Sequence, residues 1–157
     1  MEETVLEPKE TVVVGAGPTG LMFSRIASHK GVEVYVLEEH REIGVPNHCA
    51  GLVSIPGIAN LNINPGPAIQ NVVRGAVIFS PSCKHKLVID RGKKEAYVLN
   101  REIFDKEIYC QAISSGAHVK TRSKVLDLKL KHDYWYITVS YTHLRAHETS
   151  LHLVCRL

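Results

Sequence analysis

The feature that most constrains this chain is a glycine-rich turn between an apolar strand and a helix. The turn reads GAGPTG over residues 15–20, follows the β-branched run Thr11–Val14 and leads into a helical stretch over residues 20–30. A second apolar run over residues 32–37 follows and ends at Glu38. Strand, glycine turn, helix, strand and acid, in this order, make up a dinucleotide-binding unit. The segment therefore predicts an α/β fold of the Rossmann type.

Each glycine of the turn has a separate physical role. Gly15 permits the tight turn off the strand, Gly17 lets the backbone approach a pyrophosphate, and Gly20 lets the helix pack against the strand. The phosphates would lie at the helix N-terminus, where free N–H groups and the helix dipole favour negative charge. Glu38 follows the first glycine at about the 20-residue spacing at which a carboxylate accepts a ribose hydroxyl. Because a carboxylate repels a 2′-phosphate, Glu38 disfavours NADP here, but it does not separate NAD from FAD.

In a plain NAD-binding domain, the second strand usually leads into another crossover helix. The segment after the second strand of this chain is different. It is a loop of low polarity, punctuated by glycine and proline, that reads EIGVPNHCAGLVS over residues 42–54. This composition suits backbone that lies close against a flat ligand. With the glycine turn, Glu38 and the later run NREIFD at 100–105, the P-x-x-C loop makes residues 11–138 resemble the geranylgeranyl reductase family. These FAD-dependent enzymes saturate polyprenyl chains and share the FAD fold of p-hydroxybenzoate hydroxylase.

The resemblance implies an FAD site and names residues that would form it. By their places in the family's motifs, Thr19 and Glu38 contact the ADP half of FAD. Arg101 and the backbone of Val125 complete the nucleotide site. FAD is therefore the expected cofactor.

The same resemblance places the P-x-x-C loop near the flavin. Cys49, Ala50 and Gly51 would lie beside the flavin or the ribityl chain. The loop departs from the family pattern at His48, where a basic residue is often found, and after Cys49, where the family commonly reads C-x-E-G. Two interpretations of Cys49 stay open: a small apolar residue packed against the ring, or a catalytic thiol that positions or protonates the substrate.

The strand pattern predicts an antiparallel excursion from the nucleotide fold. Alternating runs over residues 72–80, 85–90 and 95–99 read as strands. They fall within about residues 70–100, where the first strands of an inserted substrate domain would interrupt the FAD domain. The loop before them, over residues 55–67, is rich in Pro, Gly and Asn and predicts one short helix at most.

The chain then returns to the nucleotide-binding fold. Asn100 is a good N-cap for an amphipathic helix over Arg101–Ser114. The predicted apolar face of this helix comprises Ile103, Phe104, Ile108 and Ala112. A parallel strand over 118–121 follows, and then a hairpin joins strands over 125–130 and 134–138. The predicted architecture is a Rossmann-like, three-layer FAD/NAD(P)-binding α/β fold with an antiparallel excursion, and residues 1–138 form the N-terminal part of the FAD-binding domain.

Residues 139–157 match neither the family nor the preceding periodicity. The block VSYTHL can be encoded by the transposon mosaic end used in sequencing libraries, LRAHET by the adjoining adapter and LVCRL by the adapter end. The three blocks occur in order and in one frame. We interpret this segment as a translated adapter tail that adds nothing to the fold, and we expect the native protein to continue beyond the fragment. The alternative is a genuine histidine-bearing helix.

Composition argues against several other classes of protein. The chain has 157 residues, 45% hydrophobic and 22% charged, with a net charge of +3, which is typical of a globular domain. Basic residues over 84–94 straddle a predicted hairpin and fit a solvated face better than a nucleic-acid surface. No run approaches the roughly eighteen apolar residues of a membrane span, and no signal-peptide pattern precedes the fold. The cysteines before residue 139 lack metal-ligand spacing, so no metal is expected, and a reduced cytoplasmic compartment fits them. The histidines outside the P-x-x-C loop, His40 among them, carry no evident chemistry.

Three functional hypotheses follow. The first is a flavoprotein oxidoreductase of isoprenoid lipid biosynthesis, which reduces C=C bonds of a geranylgeranyl or polyprenyl lipid with hydride from reduced FAD. Its partners would be the lipid and an external electron donor, either NAD(P)H or a ferredoxin-like protein, with peripheral membrane contact and no nucleic acid. The second is an FAD-dependent aromatic hydroxylase on the same fold, and the third is an inactive fragment that binds ADP-like ligands weakly. The P-x-x-C loop favours the first for the full-length protein, whereas the fragment is expected to be inactive.

Overall fold

The computed structural model describes residues 4–5, 9–141 and 149–156, with side chains over 9–140. The chain divides into two units. The first unit comprises Met1–Pro46 and Asp105–Leu157, and the second unit comprises Asn47–Phe104. The glycine turn lies in the first unit, whereas the P-x-x-C loop over residues 42–54 belongs to the first unit up to Pro46 and to the second unit from Asn47 onward.

The strands, in chain order, are β1 (Thr4–Val5), β2 (Thr11–Val14), β3 (Val34–Leu37), β4 (Leu52–Ser54), β5 (Ile69–Val73), β6 (Gly75–Phe79), β7 (Lys86–Asp90), β8 (Ala96–Leu99), β9 (His118–Lys120), β10 (Ser123–Lys131), β11 (Tyr134–Tyr141) and β12 (Thr149–Arg156). The helices are α1 (Pro18–His29), α2 (Ile55–Asn60) and α3 (Arg101–Ser114), and a 3-10 turn covers Gly66–Ala68. No helix among the described residues has the length and apolar character needed to cross a membrane.

The first unit is built on a parallel sheet in the order β2-β3-β9, with α1 connecting β2 to β3. Its core is formed by the apolar residues that the period predicts, including Leu21, Val34 and Val36, each of which is fully buried. Helix α1 begins two residues earlier than predicted, because Pro18 is well suited to the first helical position. Gly31, with a φ of +88°, ends the helix as predicted. The predicted α/β fold is confirmed in this unit.

The second unit contains the predicted antiparallel excursion, and the strands predicted for it are partly wrong. The run expected as one strand over 72–80 is broken at Arg74 into β5 and β6, which pair with different partners. Strand β5 joins the sheet β4-β8-β5, whereas β6 pairs only with β7 among the described strands. Strand β4 was not predicted, because its three residues are too short for an alternating pattern to show. The large apolar side chains of the β6–β7 hairpin are about half exposed on both of its faces.

The predicted bounds of helix α3 and its predicted N-cap are confirmed. The side-chain oxygen of Asn100 accepts hydrogen bonds from the backbone N–H groups of Glu102 and Ile103, at 3.0 Å and 3.3 Å. The predicted apolar face is right except at one position. Phe104 and Ile108 are buried together with Ala112, whereas Ile103 is 43% exposed. Ile103 does not share the i, i+4, i+8 spacing of the three buried residues, so it projects from a neighbouring side of the helix.

The predicted hairpin is present and is longer than expected. His132 and Asp133 both have positive φ, which matches the tight turn that such a hairpin requires. Strand β11 continues to Tyr141, and Val139 is fully buried in a cluster with Leu37 and Ile137.

The last described segment, β12, pairs antiparallel with β11 along its whole length and parallel with β1. The prediction that residues 139–157 add nothing to the fold is wrong, because Val139 is fully buried in the core and residues 149–156 form this strand, where the alternative was a helix. Strand β12 can pair with β11 because the outer edge of a hairpin offers unpaired N–H and C=O groups to any extended segment. Such backbone pairing does not depend on the origin of the paired segment, and the adapter origin of residues 139–157 stays a prediction.

Candidate nucleotide-binding site

A cavity of about 360 Å³ opens in the first unit, where β2 and β3 end. Ligands of open α/β sheets bind at this carboxyl edge of the strands. The volume lies within the range of small-molecule sites. The lining is drawn from the glycine turn, the segment after β3, the start of β10 and one residue of α3, namely residues 14–17, 37–40, 42, 44–46, 105 and 123–125.

The glycine turn forms one wall of the cavity. Gly15 has a φ of +95°, which L residues rarely adopt, and its N–H donates to the carbonyl of Leu37 at 2.8 Å. A Cβ on Gly20 would overlap the carbonyl oxygen of Gly15, so only glycine lets α1 start this close to β2. A Cβ on Gly17 would instead meet no atom within 4 Å. The turn is therefore tightly packed on its helix side and open at Gly17.

Helix α1 presents its N-terminus at this turn. Gly17 is the N-cap residue and no side chain caps it, so the first-turn N–H groups stay available for an anion. Thr19 lies exposed in this first turn. The arrangement suits a pyrophosphate, which carries negative charge and accepts hydrogen bonds from backbone N–H groups.

Glu38 is the most constrained polar side chain of the site, and the residue is only 8% exposed. One carboxylate oxygen accepts the backbone N–H of Ala16 at 2.7 Å. The other accepts the backbone N–H of His40 at 2.8 Å and lies 2.6 Å from its Nδ1. Burial raises the pKa of Glu38, but the hydrogen bonds from His40 and Ala16 and the charge of His40 outweigh it and lower the pKa below the usual 4.5. The carboxyl group is therefore ionised near neutral pH.

The hydrogen bonds at Glu38 leave room for a ligand. A carboxylate offers about four acceptor positions. Three positions are occupied by the N–H of Ala16 and by the two donors of His40. About one is left, as a ribose hydroxyl would need.

His40 is not among the site residues predicted from the sequence. It lines the same cavity, and its ring makes the shortest hydrogen bond to Glu38. The only signal in the sequence is its position two residues after the acid, in the turn that follows a buried strand. That position does not reveal which way the imidazole points.

The other predicted contact in this unit is Val125. It lies in β10, lines the cavity and packs partly buried beside the cluster of Leu37, Ile137 and Val139. A break in the strand register between Val125 and Asp127 interrupts the regular pairing at this point. Such a bulge leaves backbone groups of the strand unpaired, which suits the predicted backbone contact to the nucleotide.

The loop residues predicted near the flavin belong to the second unit. Cys49 and Ala50 are exposed. The N–H of Gly51 points at the sulfur of Cys49 at 3.4 Å, and the N–H of Cys49 donates to the side chain of Asn47 at 3.2 Å. These contacts shape the loop around the thiol.

Gly51 fixes where this loop ends. Its φ is +72°, and a Cβ there would overlap the carbonyl oxygen of Leu99. The N–H of Leu99 donates to the carbonyl of Gly51 at 2.9 Å, which ties the loop to β8. Arg101, also in this unit, is the half-buried first residue of α3. The structure thus brings Gly15, Gly17, Glu38 and Val125 around one cavity, whereas Cys49, Ala50, Gly51 and Arg101 lie in the other unit.

The described residues hold no group of three or more His, Cys, Asp or Glu side chains that could bind a metal ion.

Comparison with known proteins shows which proteins this chain is similar to. Residues 9–51 match the FAD binding domain family. The digeranylgeranylglycerophospholipid reductase of Methanocaldococcus jannaschii is 36% identical over 133 residues, which cover 84% of this chain and 33% of that protein. The reductase of the same name from Methanococcus vannielii is 35% identical over 136 residues, covering 86% of the chain and 34% of the relative.

Solved structures agree with this assignment. A geranylgeranyl bacteriochlorophyll reductase-like protein from Thermoplasma acidophilum superposes with a TM-score of 0.78 at 25% identity, over 97% of this chain and 38% of that one. A p-nitrophenol 4-monooxygenase from Pseudomonas putida superposes with a TM-score of 0.72 at 18% identity, over 99% and 40% of the two chains. The latter likeness shows the fold alone.

The fold and the match over residues 9–51 are those of FAD-binding flavoproteins. The resemblance of this chain to the geranylgeranyl reductase family, predicted from the glycine turn and the P-x-x-C loop, is confirmed. The prediction of FAD as cofactor is confirmed by the same family match. The chain spans about a third of the length of the curated relatives it matches.

Proposed function

We propose that the complete protein is an FAD-dependent oxidoreductase that reduces C=C bonds of a geranylgeranyl or other polyprenyl lipid. The observation that carries this proposal is the 36% identity over 133 residues to a digeranylgeranylglycerophospholipid reductase. A polyprenyl glycerophospholipid is therefore the substrate class we favour. The alternative of an aromatic hydroxylase has less support, because it rests on a fold likeness at 18% identity.

The residues of the first unit fit the nucleotide half of FAD. Gly17 is open on the side where a pyrophosphate would approach, and the N-terminus of α1 supplies N–H donors. Glu38 has about one acceptor position left for a ribose hydroxyl. When bound and reduced, FAD would supply the hydride that saturates a double bond. The task of these residues is to hold the nucleotide in one orientation.

Cys49 is the proposed catalytic residue of the second unit. The N–H of Gly51 donates to the sulfur of Cys49 at 3.4 Å, which helps to orient the thiol. An exposed thiol in this loop could orient an alkene or deliver the proton that completes its reduction. Packing against the flavin ring is the competing role for this small side chain.

The proposed partners follow from the same reaction. An external donor, NAD(P)H or a ferredoxin-like protein, would supply the electrons. Because Glu38 repels a 2′-phosphate, NADPH would have to react from a place other than the cavity described above. The lipid substrate favours a cytoplasmic protein with peripheral contact to the membrane. Co-sedimentation of the full-length protein with lipid vesicles tests that contact.

Anaerobic turnover of the full-length protein tests the proposed reaction. The purified flavoprotein, reduced with dithionite, should saturate a digeranylgeranyl glycerophospholipid, and mass spectrometry should show the gain of hydrogen at each reduced double bond. Omitting the protein, or adding oxidised protein without reductant, provides the control. Oxygen-dependent consumption of NAD(P)H with an aromatic acid, without reduction of the lipid, would instead establish the hydroxylase.

A further inference from the structure

We propose that His40 is a positioning residue for the cofactor: it holds the Glu38 carboxylate in the orientation that receives the ribose hydroxyls of the nucleotide. This inference rests on the proposed FAD-binding function. It adds a residue that makes the ribose site through another side chain and not by touching the nucleotide itself.

His40 makes two separate hydrogen bonds to one carboxylate oxygen of Glu38. Its backbone N–H donates to Oε1 of Glu38 at 2.8 Å, and its ring Nδ1 lies 2.6 Å from the same oxygen. Because the carboxylate is ionised and can only accept, Nδ1 is assigned as the protonated nitrogen. Both donors are therefore directed at Oε1, and Oε2 is left to the N–H of Ala16 at 2.7 Å.

The backbone around His40 is itself anchored. The carbonyl of His40 accepts the N–H of Arg122 at 2.9 Å, and the N–H of Ser123 donates to the carbonyl of Glu38 at 2.7 Å. These bonds fix the turn after β3 against the start of β10. The imidazole is therefore presented from a rigid backbone, although its side chain is 45% exposed.

The charged residues near His40 do not orient the Glu38 carboxylate in its place. Lys124 lines the same cavity, but its Nζ pairs with Glu39 at 3.3 Å. Nε2 of His40 lies 4.0 Å from a carboxylate oxygen of Glu39, which is too far for a hydrogen bond. The other charged residues that line the same cavity are Glu42 and Asp105. Within the described residues, His40 supplies the only side-chain donor to the Glu38 carboxylate.

Loss of the His40 ring donor should affect only the contact between Glu38 and the ribose. Without the ring donor, the Glu38 side chain keeps its charge and its two backbone donors, but its carboxylate loses its shortest hydrogen bond and is held less firmly in one orientation. A ribose hydroxyl would then bind a less ordered acceptor. Part of the free energy of its hydrogen bond would be offset by the entropy cost of ordering the carboxylate. Contacts of the adenine and of the phosphates would be unaffected.

The test uses the 157-residue chain and two probe nucleotides, ADP and 2′,3′-dideoxy-ADP, titrated by calorimetry. His40→Asn keeps an N–H donor at the place of Nδ1, whereas His40→Gln, an amide of similar polarity, moves the donor to the place of Nε2. We expect His40→Gln to weaken ADP binding by about three- to tenfold, the effect of one hydrogen bond. His40→Asn should bind ADP within about twofold of the wild type, and the dideoxy nucleotide should bind all three proteins alike.

Each other outcome has a definite meaning. Equal weakening of ADP and dideoxy-ADP by His40→Gln would assign His40 a merely structural role and overturn the inference. Unchanged or tighter ADP binding by His40→Gln would overturn it as well, because the ring would then contribute nothing or compete with the ribose. A wild-type chain that melts cooperatively but binds no ADP would refute the nucleotide site described above and with it this inference, whereas the proposed reaction is tested separately by anaerobic turnover of the full-length protein. Thermal midpoints of all three proteins provide the folding control.

Discussion

Replacing Gly20 by alanine should destabilise the protein, because the new methyl group has no space. Its carbon would overlap the carbonyl oxygen of Gly15 and lie 3.2 Å from Cγ1 of Val13. Helix α1 would have to move away from β2, or the glycine turn would have to shift. Overpacking of this kind costs about 1–3 kcal/mol. In a chain of this length that corresponds to a midpoint lowered by roughly 2–12 °C.

Gly17→Ala is the matched control, with the same chemical change three residues earlier. A Cβ on Gly17 would meet no atom within 4 Å, and the φ of −74° suits any L residue. The thermal midpoint should therefore stay within about 2 °C of the wild type or rise slightly. The methyl group would, however, stand where the backbone must approach the pyrophosphate, so ADP affinity should fall about tenfold or more.

Thermal melts followed by circular dichroism, with calorimetric titration of ADP, measure both effects on the two variants. The expected pattern is a loss of stability for Gly20→Ala and a loss of binding at full stability for Gly17→Ala. A Gly20→Ala protein that melts with the wild type would refute the packing argument. A Gly17→Ala protein that binds ADP as tightly as the wild type would refute the close approach of the phosphate.

The remaining predictions concern the acid, the thiol and the chain end. Glu38→Gln should weaken FAD binding by about 1.5–3 kcal/mol in a fluorescence titration, because a charge-assisted hydrogen bond to the ribose is lost. Since the folded-state pKa of Glu38 is lowered from 4.5, its contribution to stability is present above that value and is lost as the pH falls through the folded-state pKa. The difference in thermal midpoint between wild type and Glu38→Gln should therefore shrink in acid, and a difference independent of pH would contradict this. Cys49→Ser in the full-length protein should lower turnover and leave the flavin spectrum nearly unchanged, whereas unaltered turnover would reduce Cys49 to packing. Truncation after Thr138 removes the fully buried Val139 and should cost about 1.5–3 kcal/mol more than truncation after Tyr141; equal melting of the two truncated chains would show that Val139 adds nothing to the core.

The parts of the fold that the sequence predicted are those set by short stretches of chain. The βαβ unit follows from apolar period and from glycines, and the positive φ of Gly15 and Gly31 bears this out. The cap of α3 follows from one asparagine whose side chain reaches the N–H groups two and three residues later. The hairpin turn follows from two residues that tolerate positive φ. In each case the physical cause acts within a few residues, so the pattern carries it.

The errors in the sequence prediction fall where contacts join distant parts of the chain. The break between β5 and β6 could not be predicted from an unbroken alternating run, since it depends on two different partner strands. The exposure of Ile103 depends on which side of α3 its neighbours cover. The pairing of β12 with β11 depends on an open strand edge and not on any pattern before it.

By itself, the sequence predicted the class of the fold and the acid expected to face the ribose, because spacing along one βαβ unit encodes both. FAD as the cofactor was implied by the family resemblance that the glycine turn and the P-x-x-C loop carry together. Only the tertiary structure decided how that acid is held. Ala16 and Glu38 lie 22 positions apart and meet at 2.7 Å, and the ring of His40 turns back onto the same carboxylate. The direction of a side chain in a turn is set by the strands packed around it, and no local periodicity records it. For this reason a histidine without evident chemistry in the sequence becomes, in the folded protein, the closest partner of the predicted ribose ligand.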